Sequence, residues 1–179
     1  MIITESSLNA KADLIVAADG LWSKYREYFL GIKELPLPTS DLAYRILLHL
    51  DEIDDPQLRD WCQTTCQKES RDRLDMVKEV DKWKLMHRSE LQNWVNEESN
   101  LVFVGDSCHP MLPYLAQGAN SAIEDGAVLG RLLGKIKSKD QLPGALKMYE
   151  RLRKSRGDAF VKEAFRQQRD AFHMEDGPE

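Results

Sequence analysis

Gly105-Asp106-Ser107-Cys108-His109-Pro110-Met111-Leu112-Pro113-Tyr114-Leu115-Ala116-Gln117-Gly118-Ala119-Asn120-Ser121-Ala122-Ile123-Glu124-Asp125 is the stretch that decides how this chain folds. It follows Leu101-Val102-Phe103-Val104, a continuous apolar run that reads as a short strand covered on both faces, as in an α/β sheet. The strand ends in an exposed carboxylate, Asp106, able to accept hydrogen bonds from ligand hydroxyls. A loop stiffened by Pro110 and Pro113 then leads to Gly118 at a helix N-terminus. Backbone N–H groups there lack intrahelical partners and are backed by the helix dipole, so they favour an anion or an electron-rich carbonyl.

Upstream, Asp13 to Ala18 is a second buried strand, and Ala18-Asp19-Gly20-Leu21-Trp22-Ser23-Lys24-Tyr25-Arg26 follows it. This is a strand end, a glycine turn and a helix start with a capping-type serine. The C-terminal edge of strands is where α/β folds place ligands. Taken alone, an ordinary strand-to-helix turn explains the stretch better than a ligand site does. Met1 to Thr4 is expected as a further strand, with Ser6 to Lys11 turning the chain back. Leu35 to Ser40 carries two prolines and is expected as a loop. Ala43 to Leu50 fits a strand, with helix as the alternative. Asp54-Asp55-Pro56 is a good helix start, because acidic residues sit near the positive end of the macrodipole and Pro suits the first turn. Helices are expected from there toward Gln67 and from Glu69 toward Val80, while Asp81 to Leu91 is ambiguous. Gly118 to about Ile136 and Pro143 to Phe172 read as helices.

The 179 residues suit one domain with a real core. A formal net charge of −5 argues against a nucleic-acid or anionic-membrane partner, which would need clustered positive charge. Arg151, Arg153, Lys154 and Arg156 are diluted by Glu150 and Asp158 and read as a solvated helix face. No basic-then-apolar leader is visible and no apolar run spans a bilayer, so a cytoplasmic location is expected. Cys62 and Cys66 are spaced four apart rather than as CxxC, and with Cys108 they are expected as free thiols.

At these motifs the chain resembles the FAD-dependent aromatic-ring monooxygenases, the salicylate-hydroxylase-like group. Asp19-Gly20 with Ser23 and Arg26 is similar to the family's D-G-x-x-S-x-x-R fingerprint. Gly105-Asp106 through Glu124-Asp125 is similar to its Gly-Asp fingerprint, including His109, Pro113 and Gln117-Gly118-Ala119-Asn120. Tyr149-Glu150 with Arg153 and Arg156 resembles Y-E-x-x-R-x-x-R on the following long helix, and Ala43-Tyr44-Arg45 resembles the start of the substrate region.

The resemblance implies FAD as cofactor, NAD(P)H as reductant, and a small aromatic or polyketide-type metabolite of secondary metabolism as substrate. It places Asp106 on the ribityl chain, the Gly118, Ala119 and Asn120 helix start at the flavin pyrimidine edge, and Pro110 to Pro113 along the isoalloxazine. By the same resemblance, Gly20, Gly105 and Pro113 belong to the cofactor-binding set, and Asp19 and Arg26 help to order FAD and the passage of NAD(P)H. Charge that develops on a reduced flavin is what the helix start would stabilise. The implied fold is a truncated FAD/NAD(P)-binding-type α/β domain, with a small sheet and long C-terminal helices. Its expected parts are a strand and Asp-Gly region over 1–50, a helical connection over 51–100, and the Gly-Asp motif with C-terminal helices over 101–179.

The chain departs from the family in two places. It contains no G-x-G-x-x-G segment for the FAD pyrophosphate. The nearest glycine series, Gly126, Gly130 and Gly134, has helical spacing and reads as a close-packed face. Between Arg45 and Trp83 the family carries a substrate-binding sheet, where this chain offers a short, charged connection. Met1 opens almost directly on the strand leading to Asp19, as a reduced relative or a shortened gene model would.

Three functions stay open. The first is a flavin monooxygenase remnant, with self-association or a partner chain replacing the nucleotide-binding half. The second is a cofactor-free isomerase, cyclase or hydro-lyase with Asp106 and His109 as acid and base. The third is a non-catalytic partner subunit. His109 and Arg45 are the catalytic candidates, although loop hydrogen bonding accounts for His109 and a surface salt bridge for Arg45. His49, His87 and His173 lack metal-ligand spacing, so no metal is expected. Trp22, Trp61, Trp83 and Trp94 read as packing residues.

Overall fold

A computed structural model of the chain describes residues 2–3, 9–45, 55–57, 59 and 80–172. Its organising feature is a parallel strand pair, β3 (Ile15–Ala17) and β6 (Leu101–Phe103), with Ile15 opposite Leu101 and Ala17 opposite Phe103. All three β6 residues are buried, as the continuous apolar run requires. On its other edge β6 meets the 94–96 segment, where Phe103 N–H donates to the Trp94 carbonyl at 2.9 Å and Val95 bridges Val102. A short antiparallel pair precedes it, β1 (Ile2–Ile3) and β2 (Asn9–Ala10), so the expected N-terminal strand turns back as read.

Among the described residues three longer α-helices follow from local signals. α1 (Lys24–Leu30) starts at Ser23, whose hydroxyl accepts from Arg26 N–H, and stops at Gly31 with φ of 67°, the left-handed ending for which glycine is suited. α2 (Gly118–Leu133) and α3 (Leu142–Gln167) pack on each other. α2 is closed by the Gly134 N–H donating to the Gly130 carbonyl, and α3 continues into a π-helical turn over Gln168–Phe172.

The core gathers Trp94, Leu101, Val102, Phe103, Leu129, Leu146 and Tyr149. Tyr149 sits on the strand end, its hydroxyl donating to the Phe103 carbonyl at 3.0 Å. A buried aromatic side chain contributes roughly 2–3 kcal/mol by burial, and this bond satisfies its one polar atom.

The chain divides into two compact units, residues 1–37 with 86–179, and residues 38–85. The second carries most of β4 (Leu37–Arg45) and β5 (Asp81–His87), which form a two-stranded sheet. Here the structure settles one open reading and corrects one expectation. The ambiguous stretch after Val80 is a strand, and the proline-containing loop becomes strand from Leu37. Among the described residues this sheet has two strands, and proline is tolerated in edge strands. At the expected helix start, Pro56 and Gln57 are helical and Gln57 N–H is capped by the Asp55 carboxylate at 2.8 Å. The remainder of that helix, the helix over 69–79, residues 46–50, and Cys62, Cys66, Trp61, His49 and His173 lie outside the described residues. Among the described residues no helix is long and apolar enough to cross a membrane.

Candidate functional site

The site forms where β6 ends. Gly105 turns the chain with φ of 65°, and a Cβ there would lie 3.0 Å from the Ala122 Cβ of α2. Only glycine combines that dihedral with so close an approach. A 3-10 turn over Gly105–Ser107 follows, closed by Cys108 and His109 N–H groups that both donate to the Gly105 carbonyl at 3.0 Å. Ser107 fastens the two parallel strand ends together by donating to the Ala17 carbonyl at 2.6 Å. Asp106 projects from this turn with an exposed side chain. Desolvation by its surroundings raises its carboxyl above the ordinary value, and His109 opposes that rise.

A Cβ at Gly118 would lie 4.0 Å from Asp106 Oδ1, so the carboxylate stands against the first residue of α2. No side chain caps that helix end. Ala119 and Asn120 are exposed there. Pro113 opens the 3-10 turn Pro113–Leu115 that leads into α2, and Ala116 follows it in the left-handed region at φ of 51°. The Gly-Asp stretch therefore does assemble an exposed acceptor beside a row of uncapped backbone donors.

Behind this surface lies a buried polar cluster. Asp125 Oδ2 accepts from the Gly105 N–H at 3.0 Å and faces His109 Nε2 at 2.5 Å, while Oδ1 accepts from Arg153 Nε at 2.7 Å. Burial alone would raise the Asp125 carboxyl; His109, Arg153 and the Gly105 N–H overcome it and hold the group below the usual carboxylate range. Arg153 also bonds Glu124 at 2.8 Å and the Ser121 carbonyl. Burial and the Asp125 charge push the Cys108 thiol well up, so it stays protonated, donating to the Gly105 carbonyl. Donor atoms of Cys108, His109 and Asp125 lie within 4.8 Å of one another; Cys108, Asp125 and His109 Nε2 are already hydrogen-bonded, while His109 Nδ1 has no partner.

The Asp-Gly stretch is built differently. Asp19 accepts from Lys24 N–H at 2.8 Å and from Tyr25 N–H at 3.3 Å, so it caps α1. Gly20 takes φ of 72° in the turn before that cap. Arg26 is 1% exposed, bonded to Glu34 at 2.6 Å and to the Ser89 carbonyl. Arg88, also buried, donates to the Ser23 carbonyl at 3.3 Å. This arginine pair ties α1 to the 88–90 segment.

Of the two catalytic candidates, His109 is 1% exposed in the first unit, packed on the Trp94 ring with centroids 5.0 Å apart. Arg45 is exposed at the last residue of β4, in the second unit. Three other readings are corrected. Arg153 is not on a solvated face but buried on Asp125. Trp22 and Trp83 are exposed, and only Trp94 of the described tryptophans is core. Gly126 and Gly130 are not close-packed, since a Cβ at either would meet nothing within 4 Å.

Sequence reasoning passed over Asp125 and Arg153 as a working pair. The signal was present: Leu146, Tyr149, Arg153 and Gly157 share one buried stripe of α3. A charge on an apolar stripe calls for a buried partner. Glu34 and Arg88 carried no such pattern.

The model of the FAD binding domain family matches residues 43–164. The FAD-dependent monooxygenase OpS4 of Beauveria bassiana (strain ARSEF 2860) is 37% identical over 233 residues, covering 99% of this chain and 54% of that protein. Those 233 residues exceed the 179 of this chain, so the relative carries internal residues without a counterpart here. Among solved structures, CtdE in complex with FAD and substrate 4 superposes with a TM-score of 0.73 at 22% identity, covering 90% of this chain and 54% of that one. A salicylate hydroxylase substrate complex gives 0.70 at 19% identity, covering 90% and 56%. The fold is that of a partial FAD-binding domain. The chain belongs to the FAD-dependent aromatic monooxygenase family, and it spans about half the length of the curated relatives it matches.

Proposed function

We propose that this chain holds the isoalloxazine and ribityl end of FAD at the β6–α2 junction and takes part in hydroxylating a small aromatic or polyketide-type metabolite, with NAD(P)H as reductant. The observation that carries the reading is the exposed Asp106 carboxylate set against the uncapped start of α2. An acceptor for sugar-like hydroxyls beside donors for an electron-rich carbonyl fits that end of the cofactor. Asp106 would receive the hydroxyls, the N–H groups of Gly118, Ala119 and Asn120 would face the pyrimidine edge, and the Pro110–Pro113 segment would flank the ring. When bound, FAD supplies the redox chemistry that passes reducing equivalents from NAD(P)H to oxygen for hydroxylation. The protein's part is to position the ring, exclude water and stabilise charge. Gly105 sets the turn, while Asp19, Gly20 and Arg26 order the α1 side of the same unit.

The residues present fit the flavin end and not the pyrophosphate end, since no Gly-rich loop of the G-x-G-x-x-G kind occurs in the chain. A second chain supplying that segment is part of the proposal, with self-association as the other way of covering the exposed face. His109 acts here as a positioning group, and Arg45 remains the candidate for an anionic part of the substrate. The cofactor-free alternative needs His109 as an accessible base, and its burial on Asp125 weighs against that reading.

The test is the visible spectrum of the purified chain and an FAD titration followed by fluorescence. Saturable binding is expected, weakened roughly ten- to hundredfold by Asp106→Ala, the cost of one charge-assisted hydrogen bond. A colourless chain indifferent to FAD would remove the oxidoreductase reading and leave only the fold.

A further inference from the structure

We infer that Asp125 is the positioning residue of this site: from inside α2 it holds the Gly105–Asp106 turn so that the Asp106 carboxylate stays beside the first turn of that same helix. The inference rests on the flavin reading only for the purpose of the turn, not for its geometry.

An ionised carboxylate is acceptor-only, with room for several donors. Asp125 uses that capacity on three separate segments: the Gly105 N–H at the end of β6, His109 in the following loop, and Arg153 from α3. Both the first and the last residue of the 105–109 turn are thus fastened to one side chain. Gly105 alone would not hold its conformation, because glycine is as free at positive φ as at negative φ. The N–H bond to Asp125 and the Ala122 approach select one state. Asp125 lies seven residues after Gly118, so the rigid helix fixes the spacing between its anchored turn and its uncapped N-terminus at roughly 10 Å along the axis. One element therefore presents the donors of the site directly and its acceptor indirectly.

Asparagine cannot substitute. It has one acceptor oxygen, which the charged Arg153 guanidinium claims, so the NH2 is left facing the Gly105 N–H.

The experiment follows the Gly105 amide in the 15N-labelled full chain, together with FAD titration, in the unmutated protein, Asp125→Asn and Glu124→Gln. In the unmutated chain the Gly105 proton is expected well downfield and slow to exchange. In Asp125→Asn it should exchange fast, and FAD affinity should drop roughly ten- to hundredfold, with the Leu129 and Leu146 amides still protected. Glu124→Gln, which loses an Arg153 contact but spares Asp125, should leave the Gly105 amide unchanged. Undiminished Gly105 protection in Asp125→Asn overturns the inference. If that variant does not fold, the unmutated chain decides: a Gly105 proton at its random-coil position also overturns it. A chain that takes no FAD, yet whose Gly105 amide responds to Asp125→Asn, sinks the flavin reading and leaves the positioning role standing.

Discussion

Two carboxylate–arginine pairs dominate at the residue scale, the buried Asp125 with Arg153 and the half-buried Glu34 with the buried Arg26. For each carboxyl, burial alone would raise the pKa; His109, then Arg153 and the Gly105 N–H, bring Asp125 below the ordinary value, and Arg26 does the same for Glu34. The sign of the linkage follows. A group whose folded pKa is depressed stabilises the fold fully above its unfolded value, near 4, and that contribution is lost as pH falls through the folded pKa. The melting temperature is therefore expected to be flat from pH 7 to about 5 and to fall steeply below about 4. The acid slope should be shallower in Asp125→Asn, measured by thermal unfolding across that series. Asp106 works in the opposite sense, since protonating its raised carboxyl removes a desolvation penalty, so it cannot produce the fall. An unchanged slope in the variant would show that other groups carry the acid transition. Asp106 and the Gly118 start were legible in the sequence because strand-end carboxylates and uncapped helix starts are local patterns. Arg26, Arg153 and His109 were not, since whether a charged side chain meets solvent or a buried partner is decided by segments distant in sequence.

At the scale of elements, the glycines of α2 and α3 look alike in the sequence and differ in the fold. A Cβ at Gly157 would sit 2.8 Å from the Trp94 ring and 3.1 Å from His109 Cδ2. At Gly126 and Gly130 the space is open. Gly157→Ala is thus expected to destabilise by about 1–3 kcal/mol through overpacking. Gly126→Ala and Gly130→Ala should each stabilise by about 0.5–1 kcal/mol, the helix-propensity gain unopposed by a clash. Urea unfolding of the three single variants separates them, and a tolerated Gly157→Ala would mean that Trp94 is not packed as described. The same contrast explains why helices were placed well and their faces were not. Apolar periodicity marks α2 and α3 from the sequence, whereas which glycine meets an aromatic ring depends on the 94–96 segment lying against β6. Likewise β5 stayed ambiguous because its residues are mostly exposed, leaving no buried alternation to read.

For the whole molecule, the open glycine face becomes an argument about assembly. Ile123, on α2 with Gly126 and Gly130, is 70% exposed, and Val16, mid-strand in β3, is 46% exposed although Ala17 and Phe103 beside it are fully buried. Among the described residues β3 has one strand neighbour, β6, so its other edge offers unpaired backbone groups. Exposed strand edges and clustered apolar residues are surfaces that soluble proteins usually cover. The chain spans about half the length of its curated relatives, and a chain carrying a glycine-rich strand–loop–helix is the partner to try against these surfaces. Concentration-dependent association is therefore expected in sedimentation velocity, weakened by Ile123→Glu, which places a charge on the open helix face without touching the buried Asp125 cluster. If the association is with the complementary half, adding a chain that carries the glycine-rich strand–loop–helix should tighten FAD binding and abolish self-association together. A monodisperse monomer, indifferent both to Ile123→Glu and to the added chain, would mean that these surfaces are tolerated bare and that the flavin site works alone or not at all.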